Sequence, residues 1–186
     1  TREALGHIVS GVDRTARLVR QLLAIAALEA SEVNGKPETT DIAGALRSLV
    51  HDISHQDTKE VHIRIAADLN GLVASIGQAD FDLAARNILE NAIAHTPTGG
   101  VVNVTGHSEA GMVVVCIADS GTGMAPEELV RATERFFRGR NKTTIGSGLG
   151  LSIATLALER SGGVLKLSNQ PSGGLMAEMT LPAGPP

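Results

Sequence analysis

Arg86-Asn87-Ile88-Leu89-Glu90-Asn91-Ala92 is the stretch whose reading decides the fold. Asn87 and Asn91 stand four residues apart, so both carboxamides project from one face of a single helix. An amide oxygen is a neutral ligand for a hard cation, and amide hydrogens suit phosphate oxygens. Two motifs answer this run downstream: Asp119-Ser120-Gly121-Thr122-Gly123 and Gly146-Ser147-Gly148-Leu149-Gly150-Leu151. Asp119 ends the apolar run that starts at Met112. A carboxylate there can accept a hydrogen bond from an exocyclic amine such as that of adenine, and the glycines let backbone approach a flat ring. The second glycine cluster opens a helix beginning near Leu149, where backbone N–H groups and the positive helix end make a phosphate cradle. Taken singly, these are a polar helix stripe, an ordinary turn and a weak three-glycine pattern. That pattern lacks the Lys of a P-loop and follows no strand, which excludes a Rossmann reading. In this order they describe a nucleotide pocket for ATP and Mg²⁺.

The rest of the composition narrows the class. The chain has 186 residues, enough for one domain plus a helical appendage. With aromatic residues at 2% and no Trp or Tyr, its core must be built from Leu, Ile, Val and Ala. A net charge of −4, without basic clusters, argues against nucleic acid as a partner. The single cysteine, Cys116, cannot form an internal disulfide and reads as a small buried hydrophobe. No run reaches membrane-span length, and the chain opens inside a helical pattern, which reads as a piece of something longer.

Residues 1–33 are predicted to hold one long amphipathic helix, with Leu5, Val12, Val19 and Ala26 recurring every seven residues. Such a stripe needs a partner helix. Asn34-Gly35-Lys36-Pro37 is the predicted boundary, followed by a second domain over 34–182 and a frayed tail over 183–186. Within the second domain, Thr39, Thr40 or Asp41 would cap a helix through Ile53. Strands are predicted at Val61 to Ile65 and Leu72 to Ile76, a helix from Gln78 to His95, and hairpins over 101–118 and 164–181. A short helix opens at Pro126, and another runs from Gly148 to Arg160. The expected fold class is α+β: a two-layer α/β sandwich with a mixed, mostly antiparallel sheet and helices on one face.

The chain closely resembles the catalytic, ATP-binding domain of bacterial two-component sensor histidine kinases, of the Bergerat (GHKL) ATP-binding fold, preceded by the last helix of their dimerisation region. Asn87 to Asn91 resembles the N box, Asp119 to Gly123 the G1 box, Glu134-Arg135-Phe136-Phe137-Arg138 the F box, and Gly146 to Leu151 the G2 box. The resemblance implies a protein-histidine kinase that uses ATP and Mg²⁺. Asn91 would hold the metal, and Asn87 would support the metal and phosphate shell. Asp119 would read the adenine amine, with Gly121 and Gly123 lining the base pocket. Arg138 would reach the phosphates, with Gly146, Gly148, Leu149 and Gly150 offering backbone contacts. Asn87, Asn91 and Arg138 would carry the catalysis, and residues 139–147 would form a lid. Implied partners are ATP and ADP, the protein's own dimerisation domain in a homodimer, and a response regulator. The implied setting is the cytoplasmic side of a bacterial inner-membrane protein, with the membrane engaged only through other segments.

Two departures qualify the resemblance. Where family members often carry a basic residue and then Tyr, this chain has Ala94 and His95. Lys142 or Arg140 in the lid would supply the missing cation, and His95 would either donate to a phosphate or face water at the helix end. The box that surrounds the family's phosphoacceptor histidine is also missing around His7, His51, His55, His62 and His107, which puts the acceptor upstream of Thr1. Related ATPases place a water-activating Glu four residues before the metal-binding Asn, and here that position is Asn87. A hydrolase of that type and a nucleotide-binding module without kinase activity remain the alternatives.

Overall fold

The structure, a computed structural model, describes residues 2–30, 38–54, 59–139 and 147–185, with backbone alone at 2–10, 13, 14 and 17. The chain divides into two compact units, 1–33 and 34–186. The first is helix α1 (Arg2–Ala30). Val12, Val19, Leu22 and Leu23 of its apolar stripe are exposed. The predicted boundary turn at 34–37 lies outside the described residues.

The second unit is built on a five-stranded sheet of β2 (His62–Ile65), β4 (Val101–Glu109), β5 (Met112–Asp119), β6 (Val164–Asn169) and β7 (Leu175–Pro182), in the order β2-β4-β5-β7-β6. Only the β2–β4 pair is parallel, so the sheet is mixed and mostly antiparallel, as the sequence predicts. A two-stranded ribbon of β1 (Thr40–Asp41) and β3 (Val73–Ala74) stands beside it. Of the three cap candidates, Asp41 immediately precedes α2 (Ile42–Ser54), whereas Thr40 is buried in β1 with its hydroxyl donating to the Ile76 carbonyl at 2.7 Å. The 183–186 tail also departs from expectation. Ala183 bridges to Ala74 and Gly184 N–H donates to the Val73 carbonyl at 2.8 Å, so the described part of the tail is tied to β3.

Alternation assigns the two faces of the sheet. Val102 and Val104 of β4, Val113, Val115 and Ile117 of β5, and Ala177, Met179 and Leu181 of β7 are buried, whereas Asn103, Thr105 and His107 are exposed. The buried face meets α2 (Ile42–Ser54), α3 (Gln78–His95) and α5 (Gly150–Glu159). α3 lies centrally, in contact with α2, α5 and β5. Phe81, Ala84, Ala85, Ile88, Leu89, Ala92 and Ile93 are buried over most of its circumference, leaving one stripe for Asn87 and Asn91. Leu89 is fully buried, and truncating it to Ala would cost about 2–5 kcal/mol.

Both ends of α3 are fastened. Asp80 in the first turn complements the helix dipole and pairs with Arg160 at 3.1 Å, linking α3 to the end of α5. At the other end, Thr96 Oγ1 donates to the Ala92 carbonyl at 2.7 Å and Lys59 Nζ to the Ala94 carbonyl at 2.6 Å. Pro97 follows and cannot continue the helix. A short helix, α4 (Pro126–Leu129), leads from the Asp119 loop toward Phe136.

Candidate functional site

Asn87 and Asn91 face the same side of α3, one turn apart and half-buried. Asn87 Nδ2 donates to the Leu83 carbonyl one turn back, at 2.8 Å. That bond turns its Oδ1 toward the start of α5, where a Cβ on Gly150 would sit 3.2 Å from it. Asn91 makes no side-chain hydrogen bond with the described residues. Asn87 thus offers a neutral oxygen donor at the N-terminus of α5, an end that favours an anion, and Asn91 stands one turn further along the same face of α3. Hard oxygen donors of this kind fit Mg²⁺, which needs few protein ligands when phosphate and water complete its shell.

Asp119 ends β5 and is only 4% exposed. Its Oδ1 accepts hydrogen bonds from Gly121 N–H at 2.8 Å and Leu175 N–H at 3.2 Å. Both bonds converge on one oxygen, which leaves Oδ2 as an acceptor for a ligand. Burial raises the Asp119 carboxyl above its ordinary value, against the two backbone hydrogen bonds and the nearby His95, which lower it. The end of α3 reaches the same place: a Cβ on Gly121 would lie 2.5 Å from the His95 carbonyl.

His95 sits between charges of opposite sign. Lost hydration lowers its pKa from 6.5, Asp119 opposes that shift, and Lys59 adds to it. Its ring is therefore neutral at pH 7, although the residue keeps much of its surface in water. It can offer one N–H donor but no positive charge, which suits donation to a phosphate oxygen without supplying a cation. Lys59 brings an ammonium to the helix end where Ala94 lacks one. Sequence reading passed over it, because a lone Lys in a polar connection carries no signal of where the chain will fold back.

The F-box and G2-box stretches meet backbone to backbone. Phe136 N–H donates to the Gly148 carbonyl at 2.8 Å, and both residues have positive φ, 64° and 73°. A Cβ on Gly148 would lie 2.6 Å from the Phe137 carbonyl oxygen, so only glycine fits there. Arg138, exposed, follows this contact directly. Leu149 is fully buried, and its N–H is held by Ser147 Oγ at 3.2 Å. α5 begins at Gly150, slightly later than the sequence reading had it. Arg140, Lys142 and Gly146 lie outside the described residues. Among the described site residues, α3 thus gathers the Asp119 loop at its C-terminal end and the start of α5 at Asn87. Asn169 and Gln170, which carry no motif in the sequence, brace the Asp119 loop through hydrogen bonds to Met124 and to the Asp119 carbonyl.

A family model described as "Histidine kinase-, DNA gyrase B-, and HSP90-like ATPase" matches residues 77–185. The chain is 33% identical over 180 residues to the sensor protein QseC of Escherichia coli O157:H7, covering 96% of this chain and 39% of QseC. It is 28% identical over 176 residues to the sensor-like histidine kinase SenX3 of Mycobacterium tuberculosis, covering 92% of this chain and 42% of that one. It therefore spans about two fifths of the length of these relatives. Among solved structures, full-length ShkA in complex with AMPPNP superposes with a TM-score of 0.77 at 27% identity, covering 94% of this chain and 37% of ShkA. The mycobacterial sensor histidine kinase MprB gives 0.70 at 25% identity, covering 80% of this chain and all of that one, 100%.

Proposed function

We propose that this chain, which belongs to the histidine kinase-, DNA gyrase B- and HSP90-like ATPase family, is the catalytic part of a two-component sensor histidine kinase. ATP would lie with its base at Asp119 and its phosphates between α3 and the start of α5. Asp119 Oδ2 accepts the exocyclic amine of adenine. The N–H groups at the start of α5 and the Arg138 guanidinium face the phosphate oxygens. Asn91, supported by Asn87, would hold Mg²⁺, which when bound offsets negative charge on the phosphates. The attacking group is an imidazole nitrogen of a histidine in the dimerisation region. It forms the new bond to the γ-phosphorus as the bond to the bridging oxygen breaks and ADP leaves. Transfer of this kind depends on positioning and charge neutralisation more than on a base supplied by the domain.

The observation that carries the kinase reading over hydrolysis is residue 87. Water needs a general base to attack, and an amide cannot be one. Asn87 is further committed to the Leu83 carbonyl. Glu90, the nearest carboxylate in sequence, is exposed, away from the half-buried asparagines. In the whole protein, α1 would pair in a homodimer and the phosphohistidine would pass to a response regulator. No helix of the described residues is long and apolar enough to cross a membrane. A cytoplasmic position would follow from attachment to a membrane sensor through other segments.

The test mixes the chain with γ-labelled ATP, Mg²⁺ and a dimerisation region carrying its histidine. The expected result is a labelled acceptor with slow release of inorganic phosphate. Rapid steady-state hydrolysis without the acceptor would support an ATPase of the same fold. Failure to bind ATP would leave a structural module.

A further inference from the structure

We propose that Asn169 is a positioning residue for the base end of this pocket, holding the loop after Asp119 at the distance adenine requires. The inference rests on the reading of Asp119 as the base acceptor. Asn169 ends β6, and its Oδ1 accepts from Met124 N–H at 2.9 Å while its Nδ2 donates to the Met124 carbonyl at 2.7 Å. One carboxamide thereby engages both the donor and the acceptor of a single backbone residue, as a neighbouring strand would. Gly123 is what admits it. With φ at 72°, a Cβ there would lie 2.6 Å from Asn169 Oδ1. The second glycine of the Asp119 motif is thus required by Asn169, alongside the place in the base pocket that the resemblance implies for it.

The adjoining residue secures the other end of the same loop. Gln170 Nε2 donates to the Asp119 carbonyl at 2.7 Å, and Leu175 N–H, across the hairpin turn, reaches Asp119 Oδ1. The β6–β7 turn therefore grips the loop at 119 and at 124, and the backbone of 120–123 spans the interval. Asn169 is itself exposed, so its role is to place that backbone rather than to fill the core. Without the clasp, the loop would lose its fixed distance from Asp119 Oδ2, and the base would lose a rigid surface. The phosphate end, on α5, would be untouched.

The experiment measures dissociation constants by calorimetry on the intact 186-residue chain for Mg-ATP, Mg-GTP and Mg-tripolyphosphate. Three variants are compared with the parent: Asn169→Ala, Asn169→Asp and Asp119→Asn. Loss of two hydrogen bonds by Asn169→Ala should weaken ATP binding about tenfold and narrow the ATP-over-GTP preference. Tripolyphosphate affinity should be unchanged. Asn169→Asp keeps the acceptor for Met124 N–H and loses the donor, so it should fall between the parent and Asn169→Ala; it carries the test if Asn169→Ala does not fold. Unchanged ATP affinity and base preference in the Asn169 variants, with loss in Asp119→Asn, would overturn the clasp and spare the base reading. Equal loss of ATP and tripolyphosphate would also overturn it, since that is general loosening. If Asp119→Asn binds ATP like the parent, the base reading fails and the inference with it.

Discussion

Replacing Asp119 by Asn should separate binding from stability, and the structure indicates by how much. The side chain keeps its shape, and an Asn oxygen can still accept from Gly121 N–H and Leu175 N–H, now 2.8 and 3.2 Å from Asp119 Oδ1. The atom replacing Oδ2 becomes an NH₂ donor pointed at the donor amine of adenine. One charge-assisted hydrogen bond, about 1.5–3 kcal/mol, is lost, which raises the dissociation constant of ATP roughly 10- to 150-fold. Folding responds differently. Burial raises the Asp119 carboxyl above 3.8, so at neutral pH the folded chain holds an anion that it would favour in neutral form. Removing that charge should leave the unfolding midpoint of the ligand-free protein unchanged or higher. Since the chain has no Trp or Tyr, calorimetric titration and circular dichroism are the suitable assays. A variant that loses stability and keeps ATP affinity would show Asp119 to be a structural tie, and the base assignment would be wrong.

Acidification should weaken ATP binding before the protein unfolds. The folded pKa of Asp119 is raised from 3.8, so protonation removes its acceptor at a higher pH than for a free aspartate, and in that window proton uptake favours the folded state. His95 has the opposite sign. Its folded pKa is lowered from 6.5, so its contribution to stability is present above 6.5 and falls away as pH drops below that value. A His95→Asn variant whose denaturation midpoint keeps the same pH dependence in that range would refute this. Gly148→Ala forces an L side chain into a left-handed conformation, at about 1–2 kcal/mol. It also sets a Cβ 2.6 Å from the Phe137 carbonyl oxygen. Urea unfolding should show at least that loss, and a change smaller than about 0.5 kcal/mol, typical of a neutral surface site, would contradict the contact.

The parts of the fold that could be read from the chain are those whose signal is local. α3 is legible because the apolar positions of Phe81 to Ile93 recur at helical spacing and Pro97 stops the helix. The β4–β5 and β6–β7 hairpins are legible because their apolar residues alternate and their turns carry glycine. β3 falls within the strand predicted over Leu72 to Ile76, but its partner β1 was not legible, since a two-residue strand has no periodicity and Thr40 finds Ile76 at a separation of 36 residues. Lys59 at the end of α3 was hidden for the same reason, its partner lying 35 residues on.

The chemistry offered by the site was determined by residue type alone: two amides four apart, one carboxylate before glycines, and a helix start without a P-loop Lys. Donor and acceptor inventories belong to side chains and do not depend on folding. The tertiary structure decided which of those atoms remain available. It brought Leu175 N–H onto Asp119 Oδ1, lowered the His95 pKa by burial, and set Asn169 against Met124. The two hydrogen-bonded pairs lie 45 and 56 residues apart along the chain, and burial acts only once they meet. Neither the pairing nor the shifted protonation has a trace in local sequence.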